Sequence, residues 1–352
     1  MKKVKRISIK AAVLFKQKKP LKVVDVQFDK ELKKGQILVK LFYSGVCGSQ
    51  LGEIYGVKGK DKFLPHLLGH EGTGIIINKH KNIKRFKIGD KVILHWKKGH
   101  GSNSETPKYT YKNKKMNAGW VTTFNNYSVV AENRVSKIPK GISMKEGVVF
   151  GCALTTAYGA IYNDANLREK DQLLILGTGN LGLSMICFAK VIGCKKIVAV
   201  DLNNKKLNVA KIFGAHQTII FKNDYDFIKK IKDIFKDKMP NKIIDNTGNT
   251  KMIERAYDIL NKKGKLVLVG VPNYKEKVKI NTLPLHLGKE IVGSFGGGVN
   301  PTKDIKKINQ LLKKKFNIKK LLGKTYGLDK INLAINQLAN GKEILKPLIK
   351  LN

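Results

Sequence analysis

The turn Gly177-Thr178-Gly179-Asn180-Leu181-Gly182 restricts the folds open to this chain more than any other feature. It follows the apolar run Leu173-Leu174-Ile175-Leu176 directly and opens an apolar helical stretch over 181–192. The glycine pattern alone says little. Between a strand and a helix it predicts the phosphate-binding turn of a doubly wound parallel sheet. Gly177 permits the tight turn, Gly179 lets the backbone approach a pyrophosphate, and Gly182 allows close helix–strand packing. Asn180 and Leu181 begin the helix, whose free N–H groups suit phosphate. Strands at 196–200, 218–221, 242–245 and 265–269 and a helix over 203–213 ended by Gly214 continue the strand–helix alternation. Asp201 ends the second strand, near the roughly 20-residue spacing at which a carboxylate meets the ribose. It would accept the ribose hydroxyls and repel a 2′-phosphate, which favours NAD over NADP, although Lys206 weakens that repulsion. Val269, at the end of a later strand, joins the same cofactor-binding set. A Rossmann sheet that holds no nucleotide is the plainer alternative.

The chain has 352 residues, more than one ordinary core takes in, so two domains are expected. The first half reads as short strands between Gly, Pro and Lys turns, at 36–43, 74–77, 91–94 and 127–130. The stretch 99–119 is polar and aperiodic, the pattern of a surface loop or lobe. Beyond Ser294 come amphipathic helices over 305–316 and 328–340 and a last strand at 347–349. The expected boundaries are 1–153, 154–294 and 295–352. Residues 1–6 are basic but lead into a strand-like stretch too short and charged for a signal-peptide core, and no apolar run has membrane-spanning length. A cytoplasmic protein is the default expectation.

A net charge of +43 suggests a nucleic-acid partner. Only Arg6, Arg85, Arg134, Arg168 and Arg255 among the 69 basic residues are arginine, the better residue for bidentate phosphate or base recognition. The lysines are spread along the whole chain. We therefore read the charge as compositional bias; an anionic substrate drawn by the positive field is the second reading, and nucleic-acid binding the third.

Four cysteines, Cys47, Cys152, Cys187 and Cys194, are too few for a secreted disulfide scaffold. Cys187 and Cys194 lie in and just after an apolar helical stretch and read as buried small hydrophobes. Cys47, in Gly45-Val46-Cys47-Gly48-Ser49, and Cys152 have another use. With His70, in Gly69-His70-Glu71-Gly72, they can close three sides of a zinc site and leave the fourth tetrahedral position for water or an alcohol.

Taken in order, Gly-Val-Cys-Gly-Ser at 45–49, Gly-His-Glu-Gly at 69–72, Gly-Asp-Lys-Val at 89–92, the Cys152 segment, the glycine turn and Gly270-Val271-Pro272 make the chain resemble a zinc-dependent alcohol dehydrogenase of the medium-chain dehydrogenase/reductase superfamily. The resemblance covers nearly the whole length. It implies an α/β protein with a GroES-like β-rich catalytic domain, formed by both chain ends, and a Rossmann domain between them. It implies one catalytic zinc on Cys47, His70 and Cys152, with Glu71 behind it as an occasional ligand, and Thr156 and Leu181 near the nicotinamide. Hydride would pass from the alcohol carbon to nicotinamide C4. Ser49 matches the hydroxyl through which the alcohol proton leaves, or is a turn hydroxyl bonded to backbone. Trp96 falls where the family has an aromatic wall of the alcohol pocket, with His95 beside it, or is ordinary core. Lys346 stands where relatives bind the pyrophosphate through arginine. A homodimer or homotetramer joined through the Rossmann domains is implied as well.

Departures from the family pattern are equally informative. The stretch 99–119 has no cysteine, so the second, structural zinc of many relatives is not expected, and His100 alone does not replace it. Gln50 stands in place of an aspartate behind a zinc ligand, and Gly52 in place of a histidine that ends the proton relay. The loop at 293–298, rich in glycine, resembles one near the carboxamide or serves as a hinge. Polyols, sugar-derived alcohols, primary alcohols and glutathione adducts stay open as substrates. Two other classes compete: a zinc-free NADPH-dependent quinone or enone reductase, and a basic anion- or nucleic-acid-binding protein on the same fold.

Overall fold

Short apolar runs become the parallel strands of one sheet in the computed structural model, which describes residues 6–236 and 238–352. The basic start over residues 1–5 lies outside the described residues. The strands Gln172–Leu176, Lys196–Asp201, Gln217–Ile220, Lys242–Asp245, Lys265–Leu268 and Glu290–Gly293 pair in parallel, in the spatial order 3-2-1-4-5-6. That is the doubly wound order of a Rossmann sheet. Leu174, Val198, Ile243 and Leu266 are buried in its core, against Phe227, Ile231 and Tyr257 from helices on its face. Asn203, Asn223 and Asn249 start three of those helices by accepting hydrogen bonds from first-turn N–H groups. The strand Glu290–Gly293 has no fully buried residue and gives no sequence signal.

The other unit is built on antiparallel strands. Gln36–Gly45 is its axis, pairing with Glu71–Lys79, Tyr127–Ala131 and, from the far end of the chain, Lys346–Lys350. Alternate residues Ile37, Val39 and Leu41 face one core with Ile76, Val92, Leu94 and Val135. A second sheet runs in the order His66–Leu67, Arg6–Leu14, Lys22–Asp29, Tyr109–Tyr111, Lys114–Met116. The last two strands are a hairpin inside the stretch expected to be a loop. Its turn residues Lys112 and Asn113 have φ of 48° and 62°, and the buried Tyr109 pairs with Phe28 on the neighbouring strand. Three-residue strands are too short to show an alternation in sequence.

One compact unit comprises residues up to Cys152 with Asn300–Gln310 and Asn317–Asn352; the other comprises Ala153–Val299 with Leu311–Phe316. The division thus falls at 299/300, where an expectation from composition put it at 294/295. The helix expected over 305–316 runs Pro301–Leu312, because proline is well placed at a helix start. Its continuation stays with the Rossmann unit, where Phe316 packs on Phe213 at 5.2 Å between ring centroids. No helix among the described residues is long and apolar enough to cross a membrane.

Candidate active site

Three separate elements bring Cys47, His70 and Cys152 together. Cys47 ends the axial strand's exit and sits at the N-cap of the helix Gly48–Tyr55, with φ −117° and ψ 151°. His70 immediately precedes the strand Glu71–Lys79. Cys152 separates the turn Val148–Gly151 from the helix Ala153–Gly159. Gly69 makes the approach to His70 feasible: its φ is 89°, and a Cβ there would lie 2.4 Å from Thr123 Oγ1.

The ligand atoms of the three residues all lie within 4.8 Å of one another, the one such His/Cys/Asp/Glu group among the described residues. His70 Nε2 is buried with no hydrogen-bond partner. Hydrogen bonding from Cys152 holds the Cys47 thiol well below its ordinary pKa against the opposing effect of burial, with help from the charge of Lys346 and from His70. The same bond, with burial, pushes Cys152 well up. Burial alone would lower the pKa of His70, but the neighbouring Cys47, and then Glu71, raise it. Two thiols and an imidazole sharing protons in a buried cluster, with an imidazole nitrogen left unpaired, are a donor set that zinc fits.

Gln50 and the pair Glu71–Lys346 support this group. The Gln50 side-chain nitrogen lies 2.8 Å from His70 Nδ1, and its Oε1 is buried without a partner. Ligation through Nε2 needs the proton on Nδ1; a half turn of the amide then offers Oε1 as its acceptor and fixes that tautomer. Lys346 Nζ lies 2.5 Å from Glu71 Oε1, with the side chains 2% and 0% exposed. Lys346, expected at a pyrophosphate, is paired here with Glu71. The strand pairing Leu348↔Gly45 and the bond from Val46 N to Pro347 O hold Lys346 beside Cys47, where its ammonium is committed to Glu71. The thiolate of Cys47 and the carboxylate of Glu71 raise its pKa although burial opposes them.

Ser49 is half-buried on the first turn of the helix Gly48–Tyr55. Trp96 is half-buried one residue past the strand Lys91–His95. That strand pairs Glu71 with His95, its last residue. His95 is a buried neutral group: Nδ1 lies 2.7 Å from Lys97 O, and Nε2 lies 3.0 Å from Ser136 Oγ. His100 is exposed and shares no metal-ligating group.

In the Rossmann unit, the glycine turn lies at the carboxyl ends of the first and fourth strands, the switch point of the sheet where ligands bind in such folds. Gly177 has φ 85°, and a Cβ on Gly182 would lie 2.1 Å from Gly177 O, so the helix Asn180–Ile192 rests directly on the turn. No atom lies within 4 Å of where a Cβ on Gly179 would be, which leaves the backbone open to a ligand. Leu181 is half-buried on the first turn. Asp201 Oδ2 accepts from Thr178 N at 2.8 Å and Thr178 Oγ1 at 2.9 Å, and Oδ1 from Asn203 N at 3.0 Å. Thr178 thus escapes a reading that attends only to the glycines. Lys206 donates its backbone N–H to Asn203 Oδ1 in the first turn of the next helix. Val269 follows the strand Lys265–Leu268 and donates to Asp245 O. Thr156 is buried in the helix Ala153–Gly159 with an unpartnered Oγ1.

Comparison with known proteins agrees with this architecture. Residues 33–140 match the alcohol dehydrogenase GroES-like domain, and residues 181–314 the zinc-binding dehydrogenase family. Alcohol dehydrogenase 6 of Peromyscus maniculatus is 31% identical over 368 residues, covering 96% of each chain. An S-(hydroxymethyl)glutathione dehydrogenase of Escherichia coli is 29% identical over 95% of this chain and 98% of its own. The crystal structure of benzyl alcohol dehydrogenase from Acinetobacter calcoaceticus superposes with a TM-score of 0.87 at 27% identity, over 98% of this chain and all of that one. With its GroES-like and Rossmann units and its Cys/His/Cys group, this chain belongs to the zinc-dependent alcohol dehydrogenase family, oxidoreductases acting on CH–OH donors.

Proposed function

We propose that the protein interconverts an alcohol and its aldehyde or ketone with NAD, using one zinc per chain. The observation that carries this reading is the buried group Cys47, His70 and Cys152 with its unpartnered imidazole nitrogen. Those three residues would hold the metal, and Gln50 would orient His70. A zinc ion in that site supplies Lewis acidity that lets an alcohol hydroxyl lose its proton near neutral pH. Ser49 Oγ, two residues past Cys47, would take that proton and pass it on. NAD, when bound, accepts the hydride from the alcohol carbon. The absence of cysteine from 99–119 supports a single zinc. Asp201 supports NAD: with three donors already ordering its carboxylate, it presents a fixed negative charge against a 2′-phosphate.

Elemental mass spectrometry on protein purified without added metal or a metal-affinity tag tests the metal first, followed by an alcohol screen with NAD and NADP. About one zinc per chain, lost in Cys152→Ser, and turnover with NAD are expected. No zinc even after supplying it during expression would overturn this reading in favour of a zinc-free reductase.

A further inference from the structure

A carboxylate oxygen has two lone pairs, and one residue fills both of them on Asp201 Oδ2. Thr178 N donates to that oxygen at 2.8 Å, and Thr178 Oγ1 donates to it at 2.9 Å. Thr178 is fully buried, and its hydroxyl commits its single proton to this bond. With Oδ2 filled, Oδ1, which accepts from Asn203 N at 3.0 Å, is the oxygen left for a ribose hydroxyl.

These bonds continue a row that begins in the main chain. Gly177 N donates to Val200 O at 2.8 Å, one residue before Asp201. Asp201 is the last residue of the strand Lys196–Asp201, and Phe221 N fixes its carbonyl at 3.0 Å. The glycine turn is thus zipped to the end of the neighbouring strand, first by backbone and then by the threonine side chain. Backbone N–H groups such as those of residues 178 and 203 come with almost any sequence. The hydroxyl comes with the choice of side chain at 178. Asp201 is half-buried, so a carboxylate held less firmly has solvent to turn towards. A negative charge that turns aside no longer guards the ribose.

We infer that Thr178 is a positioning residue for cofactor selection, whose hydroxyl pins the Asp201 carboxylate so that a 2′-phosphate meets a charge unable to turn aside. This rests on the NAD reading above and adds the residue that enforces it. The test titrates NADH and NADPH into the full-length protein and follows nicotinamide fluorescence, so it needs no alcohol turnover. A hydrogen bond to a charged group is worth about a factor of ten or more. Thr178→Val keeps the shape and the backbone N–H, and should lower the NADPH-to-NADH ratio of Kd about tenfold. It should do so by weakening NADH and admitting NADPH. Thr178→Ser keeps the hydroxyl and should keep the wild-type ratio. Thr178→Ala should behave like Thr178→Val and carries the test where that variant does not fold. With Asp201→Ala already in place, Thr178→Val should no longer lower the ratio, because no carboxylate is left to hold. Equal weakening of both dinucleotides in Thr178→Val would mean that the hydroxyl only stiffens the turn, and overturns the inference. A wild-type preference for NADH that survives Thr178→Val overturns the inference alone. A wild type that binds NADPH as tightly as NADH overturns the NAD reading and the inference with it.

Discussion

Lys346 and Glu71 form an ion pair 2.5 Å long although 275 positions separate them in the chain. The pair is closed off from solvent directly behind His70, and it exists because the C-terminal strand Lys346–Lys350 pairs with the end of Gln36–Gly45. Burial raises the pKa of Glu71 while Lys346 opposes that shift, and Lys346 stays charged beside the Cys47 thiolate. A cation beside the Cys47 and Cys152 thiols favours their deprotonated forms.

Removing one partner leaves the other charge buried and uncompensated. Lys346→Met should therefore cost about 3 kcal/mol in urea unfolding. The double variant Lys346→Met, Glu71→Gln should cost clearly less than the sum of the two single changes. A double-mutant cycle with additive costs would show the pair to be energetically idle.

Burial pushes the pKa of His95 down to about 4 against the opposing hydrogen bond to Lys97 O. Unfolded, the same ring titrates near 6.5, so below that pH the unfolded chain binds the extra proton first. The stabilising contribution of neutral His95 is complete above about pH 6.5 and is lost as the pH falls towards 4, by about 3 kcal/mol in all. Unfolding free energies measured from pH 7 to 4 should fall more steeply for the wild type than for His95→Gln.

Gly182 and Gly179 belong to one motif but should fail differently. A methyl group at Gly182 meets Gly177 O at 2.1 Å, so Gly182→Ala should destabilise the fold by about 1–3 kcal/mol. A methyl group at Gly179 meets no protein atom. Gly179→Ala should unfold at nearly the wild-type temperature and lose affinity for NADH in a fluorescence titration. Equal thermal losses for both would contradict the packing difference.

Asp201→Asn removes the negative charge and keeps one acceptor for Thr178. The preference for NAD over NADP, measured as a ratio of kcat/KM values, should fall about tenfold or more. Stability should drop by about 1 kcal/mol, because the new amide NH2 faces a donor that Asp201 had satisfied. An unchanged cofactor ratio would remove Asp201 from the discrimination.

Much of the Rossmann unit is legible in sequence, since strands buried on both faces read as apolar runs and the glycine turn marks the sheet's switch point. Cys47, His70 and Cys152 were legible for another reason: few residue types ligate zinc, and each sits in a short glycine-bounded segment. The hairpin Tyr109–Tyr111 with Lys114–Met116 escapes because three residues carry no period. The strand Glu290–Gly293 escapes because an edge strand buries too little to demand an apolar run.

Sequence by itself determined which side chains were available and what local conformations their neighbours favoured: turns at the glycines, helices after the asparagine caps, strands at the apolar runs. Only the tertiary structure decided the long-range partners. It set Lys346 on Glu71 and Asp201 on Thr178. The physical reason is that a charge taken out of water bonds to whatever donor or acceptor the packed core places within about 3 Å, and strand pairing, which nothing local encodes, sets that neighbour.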